Sequence, residues 1–378
     1  MKGLELVFYL FSFLIGIGGG TLGFIIYFFF HLPNIKKIRI KEIDLISIFF
    51  IISFFLSSLL SSFRYFSLLN FLVLFLIFWG YLFLTKEDFS LSLLEKIIDY
   101  FILGATLLAF AGINIFFYKG IYAETPILEK NGFGTVLATT IPLVQLRIFS
   151  SKDKLWHIIS LIILITGLIL SMSQGAILGL IFGEILTFVL GNKRVKKQIL
   201  LLVLLGILIL SIFLIRSLRV KDNLFSYFLT RLDPFSTSKT ERIYIWKSAW
   251  KMFLDHPILG VGFSAFSKVY PYYRLPQAKK VNMSFAHNLP LNLLAETGIL
   301  GFISFSLLVF QFFYWGIKAY LRDRDFLSLA VLGGFTAYMG HQFFDDTMWF
   351  FHIAVIFFFF GSILKRLYEK DTFSSSLL

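Results

Sequence analysis

Eleven long apolar runs limit what this chain can fold into. They lie near residues 4–30, 45–62, 64–84, 100–117, 133–149, 156–172, 175–190, 198–216, 292–316, 326–345 and 347–364. A hydrocarbon core of about 30 Å takes roughly 20 helical residues, and most of the runs approach that length. Inside lipid each backbone polar group must find its partner within the protein, so such runs cross as helices. They are too long and too uniformly apolar for the alternating strands of a membrane barrel. The fold class is therefore an all-α polytopic integral membrane protein, with about 11 to 12 spans. The uncertainty in that count lies in the first run, where Gly16-Ile-Gly-Gly-Gly20 either kinks one long helix or divides it into a hairpin.

Loop charge orients the spans. Lys36, Lys37, Arg39 and Lys41, then Lys193, Arg194, Lys196 and Lys197, then Arg322 and Arg324, then Lys365, Arg366 and Lys370 form clusters expected on the cytoplasmic side. The long loop then lies outside, and basic loops of that length escape the rule. Three regions follow: an N-terminal bundle over 1–216, an outer loop with an amphipathic helix over 217–291, and C-terminal spans with a cytoplasmic tail over 292–378. Three features are expected to meet on the outer side: the turn Ser171 to Ala176, the long loop, and the turn His341 to Thr347. The net charge of +13 sits mostly in loops beside a membrane. Anionic lipids and phosphate-bearing substrates are thus expected partners, and nucleic acid is not. With no cysteine there is no disulfide framework, thiolate metal site or cysteine nucleophile. The first run is too long for a signal-peptide core and is expected to be retained.

Within the long loop, Ser238-Lys-Thr-Glu241 fits a capping box opening a helix to about Leu254. Ile243, Trp246, Trp250 and Phe253 form its apolar stripe, with Lys247 and Lys251 off it. Two readings stay open, a helix packed on neighbouring spans and one lying at headgroup level. Either places Arg242 in the first turn, near the membrane surface. Asp255-His-Pro-Ile-Leu-Gly-Val-Gly262 then breaks the helix, and His256 before Pro257 reads as a solvated helix-end residue. Tyr270, Tyr272, Tyr273 and Arg274 suit sugar stacking, phosphate contact or an interface belt. Asn288 can cap the next helix and Pro290 fits its first turn. Gly298 and Gly301 are expected to share a helix face that admits a close neighbour. His287 stands in the loop just before that helix, at the mouth of a span, and is the candidate for chemistry. His341, Asp345 and Asp346 carry weak cation-binding spacing, with capping the better reading, so no metal is expected. Glu184 and Glu296 fall at or near membrane depth, where one buried hydrogen bond would account for either.

Over 238–301 specifically, and loosely over 130–350, the chain resembles the O-antigen ligase and polymerase superfamily. His287, Asn288, Gly298 and Gly301 match the ligase signature, and Arg242, Trp246 and Pro257 to Gly262 match the upstream pattern. The resemblance implies a GT-C-like fold in a bacterial inner membrane, with the active site facing the periplasm. It implies glycosyl transfer from an undecaprenyl-diphosphate-linked glycan to a lipid A–core hydroxyl, without cofactor or metal. His287 would be the general base, since a free imidazole titrates near about pH 6.5. Arg242 would clamp the diphosphate, Trp246, Tyr270 and Arg274 would support the site, and membrane lipids would surround it. One position departs from the family pattern. Gln174 stands where relatives often carry an arginine, so Arg216 or Arg219 is expected to supply the second cation. A polymerase extending the carrier-bound glycan and a protein O-oligosaccharyltransferase share these motifs. A transporter of lipid-linked glycans is disfavoured, because its binding groups would gather on broken helices near the midplane.

Overall fold

The computed structural model describes residues 2–31, 44–86, 90–119, 122–219 and 237–369. Among these, fourteen helices and no strand occur: α1 Lys2–Gly16, α2 Gly20–His31, α3 Leu45–Leu59, α4 Arg64–Lys86, α5 Leu91–Lys119, α6 Lys130–Ser150, α7 Lys154–Ser171, α8 Gln174–Leu190, α9 Lys193–Arg219, α10 Thr237–Asp255, α11 Phe266–Tyr273, α12 Leu289–Asp323, α13 Phe326–Gln342 and α14 Phe351–Glu369. Seven of the described helices (α4, α5, α6, α7, α9, α12 and α14) are long and apolar enough to cross a membrane, and three shorter apolar ones accompany them. The chain is an all-helical polytopic membrane protein. Among the described residues, the expected spans correspond to these seven long helices and to shorter apolar ones.

The first apolar run divides into a hairpin. Gly18 takes φ +77°, and the position a Gly23 Cβ would occupy lies 3.1 Å from Leu14 Cβ, so α2 folds back along α1. At about 1.5 Å per residue neither arm spans the core by itself. Lys36, Lys37, Arg39 and Lys41 lie outside the described residues.

Small residues bring three helices together beneath the site. Gly175, Gly179 and Gly183 recur every four residues on α8. A Cβ on Gly179 would lie 2.5 Å from Ala337 O, and one on Gly183 2.6 Å from Gly333 O, so α13 and α8 meet backbone to backbone. A Gly175 Cβ would touch the His341 ring at 2.7 Å. α6, buried along nearly its whole length, packs on both. At the far end, Tyr320 donates to Leu190 O and Arg322 to Tyr368 O, so the basic clusters of α9, α12 and α14 share one end of the bundle.

The segment after α9 folds on itself. Ile245, Ala249, Met252, Phe266, Tyr270 and Met283 are among the residues of a small second core that also takes in Ala295 of α12. The helix begins at Thr237, one residue before the serine expected to cap it. Glu241 is buried and accepts from the backbone N–H groups of Lys279 and Lys280 at 3.0–3.1 Å. The expected stripe also rotates: Ile245, Ser248, Ala249 and Met252 face inward, while Ile243 and Trp250 face out.

Gly298 lies on no helix face. It takes φ +61° and breaks α12, a conformation that costs glycine little. The break frees two carbonyls and two N–H groups, and the turn after α10 satisfies all four. Val261 N donates to Ala295 O and Gly262 N to Glu296 O, while Ile299 N donates to Pro257 O and Leu300 N to Ile258 O, at 2.8–3.3 Å. Gly260, at φ +66°, permits this contact, because a Cβ there would lie 2.3 Å from Glu296 C. Gly301 makes room for the Thr297 side chain, so the pair of glycines builds a kink instead of a helix–helix seam.

Candidate active site

Asp345 is the centre of the arrangement. It sits in the turn after α13, with its N–H on His341 O, and its side chain is only 4% exposed. His287 Nδ1 lies 2.7 Å from Asp345 Oδ1. Arg242 Nη2 lies 3.1 Å from Asp345 Oδ2, and Nη1 of the same guanidinium donates to Phe344 O. Asn131, in the first turn of α6, donates to Asp345 Oδ2 and accepts from Ser173 Oγ at 3.1 Å. The turn before α8, the long loop and the turn after α13 therefore meet, and α6 joins them through Asn131.

Local sequence explains the position of each group. His287 itself takes φ +55°, a strained conformation for a side-chain-bearing residue. Its neighbours hold it there. Trp246 Nε1 donates to Ala286 O at 3.0 Å, and Ala286 N donates to Asn292 Oδ1 at 2.8 Å. Asn288 caps α12 through Leu291 N and donates to Phe343 O, tying the His287 loop to the Asp345 turn. Phe285 packs edge-on against the imidazole at 4.8 Å. Arg242 lies in the first turns of α10, one helical turn before Trp246.

Electrostatics separates the two adjacent aspartates. Burial alone would raise the Asp345 pKa, but the hydrogen bond from His287 and the charges of His287, Arg242 and His341 outweigh it and hold the carboxyl below its ordinary range. Asp346 is fully buried and, among the described residues, neither of its oxygens has a partner. Burial first, then the nearby Glu296 and Asp345 carboxylates, push its pKa well up. Glu129, just before α6, is also raised, by burial and then by the Asp345 charge, with His287 opposing.

Asp345 accepts from Nδ1 of the ring, so the His287 tautomer that suits this contact carries its proton there. Among the described residues no hydrogen bond engages Nε2, and the side chain is 18% exposed. Arg242 is 29% exposed, and a guanidinium has five N–H donors, so two bonds to the protein leave capacity for an anion. Below Phe343 and Phe344 an apolar cavity of about 750 Å³ opens between α8, α12 and α13, lined by Phe182, Ile185, Leu293, Phe302 and Met339 among others.

Other expected residues fall elsewhere. Tyr270 is fully buried against Phe266, and Arg274 donates to Ala278 O, so both hold the loop's own core together. Gln174 opens α8 directly after Ser173. Arg216 and Arg219 belong to the last turn of α9, and their side chains lie outside the described residues. His341 is buried with Nδ1 2.7 Å from Thr135 Oγ1, turned from Asp345 toward α8. Among the described residues no three His, Cys, Asp or Glu side chains are placed to share an ion. Glu296 accepts from Phe266 N at 2.9 Å and Glu184 from Thr187 Oγ1 at 3.2 Å, so each has a buried hydrogen-bond partner. Sequence reading missed Asn131 and the pairing of Asp345 with His287. The four-residue glycine repeat of α8 was the available signal, since it brings α13, and hence the Asp345 turn, against Ser173.

A comparison with curated proteins returns no match. The family model described as O-antigen ligase matches residues 159–306, a stretch that holds Gln174, Arg242 and His287 but ends before Asp345. Over that stretch the chain is similar to O-antigen ligases, and the match takes in His287 and Arg242 but neither Asn131 nor Asp345.

Proposed function

We propose that the chain is an O-antigen ligase. It would transfer a glycan from undecaprenyl diphosphate to a hydroxyl of lipid A–core at the periplasmic face of a bacterial inner membrane. The observation that carries this reading is the His287–Asp345 pair at 2.7 Å, with Arg242 on the second carboxylate oxygen and an apolar cavity below. Asp345 fixes the imidazole so that Nε2 takes the acceptor proton. The acceptor oxygen bonds to the anomeric carbon as the bond from that carbon to the diphosphate breaks. The electron pair leaves on the diphosphate, where Arg242 offers a planar fork to the phosphate oxygens. The prenyl chain lies along the cavity lined by Phe182, Leu293 and Phe302, which is apolar as such a chain requires. Gln174, an uncharged donor at the start of α8, leaves Arg242 as the main cation.

The test is product analysis. Purified protein in vesicles receives a lipid-diphosphate glycan together with lipid A–core. Glycan appearing on lipid A–core supports the ligase. Lengthening of the carrier-bound glycan with none on lipid A–core replaces this reading by the polymerase.

A further inference from the structure

Among the described residues, nothing covers the outward face of α10. Ile243, Trp250 and Leu254 are 47%, 45% and 57% exposed, and Lys247 and Lys251 lie exposed beside them. These positions fall on one side of the helix, opposite the inward Ile245, Ala249 and Met252. The uncovered surface continues past the helix end. Ile258 is 61% exposed, and its carbonyl accepts from Leu300 N at the α12 kink. Below the kink, Ile299, Ile303, Leu307 and Phe310 form an exposed apolar stripe at helical spacing on a membrane-spanning helix. The α10 face thus continues an exposed apolar flank of a helix long enough to span a membrane, and its two lysines add positive charge at the end of that flank.

We propose that this face of α10 is seated in the headgroup layer of the membrane, in contact with anionic glycerophospholipid. Tryptophan and lysine suit that layer: the indole lies across the boundary, and the lysine stem runs over apolar surface while its ammonium reaches phosphate. Basic residues at such a surface gain from anionic lipid, an attraction that falls off within a Debye length. Seating the face there would fix the height of the helix that carries Arg242. It requires only a membrane-spanning chain and is independent of the transfer reaction.

The chain lacks cysteine, so single cysteines at Ile243, Trp250 and Leu254 can each carry one nitroxide. Gln277→Cys, on an exposed loop, gives the water reference. Each labelled protein is reconstituted in phosphatidylcholine, and in an equimolar mixture with phosphatidylglycerol. Collisions with dissolved oxygen and with a water-soluble nickel chelate are then compared. The expected result is oxygen-favoured collision at all three helix positions and nickel-favoured collision at Gln277→Cys. Immersion should deepen with phosphatidylglycerol, and Lys247→Gln with Lys251→Gln should abolish that lipid difference. Nickel-favoured collision at the three positions in both mixtures overturns the proposal. So does dipolar broadening between labels on separate molecules, which would mean that a second copy covers the face. Fluorescence of Trp250, taken as the difference between the unsubstituted protein and Trp250→Phe, gives a label-free check. Quenching by bromine-bearing lipid chains is expected, and quenching only by aqueous iodide contradicts the proposal.

Discussion

At the residue scale, Asp345 and Asp346 are neighbours in sequence with opposite roles. Asp345 accepts from Nδ1 of His287 and holds Arg242, so Asp345→Asn keeps the shape while removing the charge that orients the ring. The expected loss in transfer rate is roughly 10²–10⁴-fold, with the fold intact by circular dichroism. Arg242→Lys loses the planar fork and should lower kcat/KM about 10- to 100-fold, since charge-assisted bonds contribute about 1.5–3 kcal/mol each. Asp346 works the other way. Its pKa is raised in the folded state, so it costs nothing below the ordinary carboxylate range and destabilises the fold progressively as pH rises above that range. Asp346→Asn should therefore leave the unfolding temperature in detergent unchanged in strong acid and raise it at neutral pH. A loss of stability at neutral pH would mean that the ionised form is wanted. His287 and Arg242 were legible in the sequence because they belong to a local pattern. Asp345 lies 58 residues beyond His287 and Asn131 lies 214 residues before Asp345, so only the fold joins them, and Asp345 beside His341 read as a cap at a span end.

At the element scale, the broken α12 is the structural basis of the site. Two left-handed glycines, Gly260 and Gly298, let the turn after α10 take over the four backbone groups that the break frees. Gly298→Ala would place its Cβ 2.4 Å from Ile258 C on top of the left-handed strain. It should cost well over about 1 kcal/mol, read as a fall in the detergent unfolding temperature. An unchanged midpoint would show that the kink is not needed. Gly298 and Gly301 stood out in the sequence but their role did not, because a Gly-x-x-Gly spacing inside an apolar run reads equally as a helix seam. The same limit applied to α10. Its apolar residues announced a helix, yet which side faces inward depended on a small core built from α11 and residue 283, far along the chain. Glu241 likewise fitted a local cap and was taken by a tertiary contact with the loop at Lys279 and Lys280.

At the scale of the whole molecule, the all-helical membrane class was written in the apolar runs, since few structures can satisfy their backbone in lipid. The division of the first run into a hairpin was not, because its glycines allowed a kink as readily as a turn. Sidedness gives a further prediction. With no native cysteine, an impermeant thiol reagent applied from the periplasm should label Gln277→Cys and leave Asn192→Cys untouched, and the reverse labelling would invert the proposed orientation. All these features serve one claim: the meeting of α6, α10, α12 and the turn after α13 builds a glycosyl-transfer site around His287. The most direct measurement is the initial rate of glycan transfer from the lipid-diphosphate carrier by the unsubstituted protein and by His287→Ala in identical vesicles. The substitution should lower that rate by roughly 10²–10⁴-fold with donor binding retained. A rate for His287→Ala equal to that of the unsubstituted protein would contradict that claim.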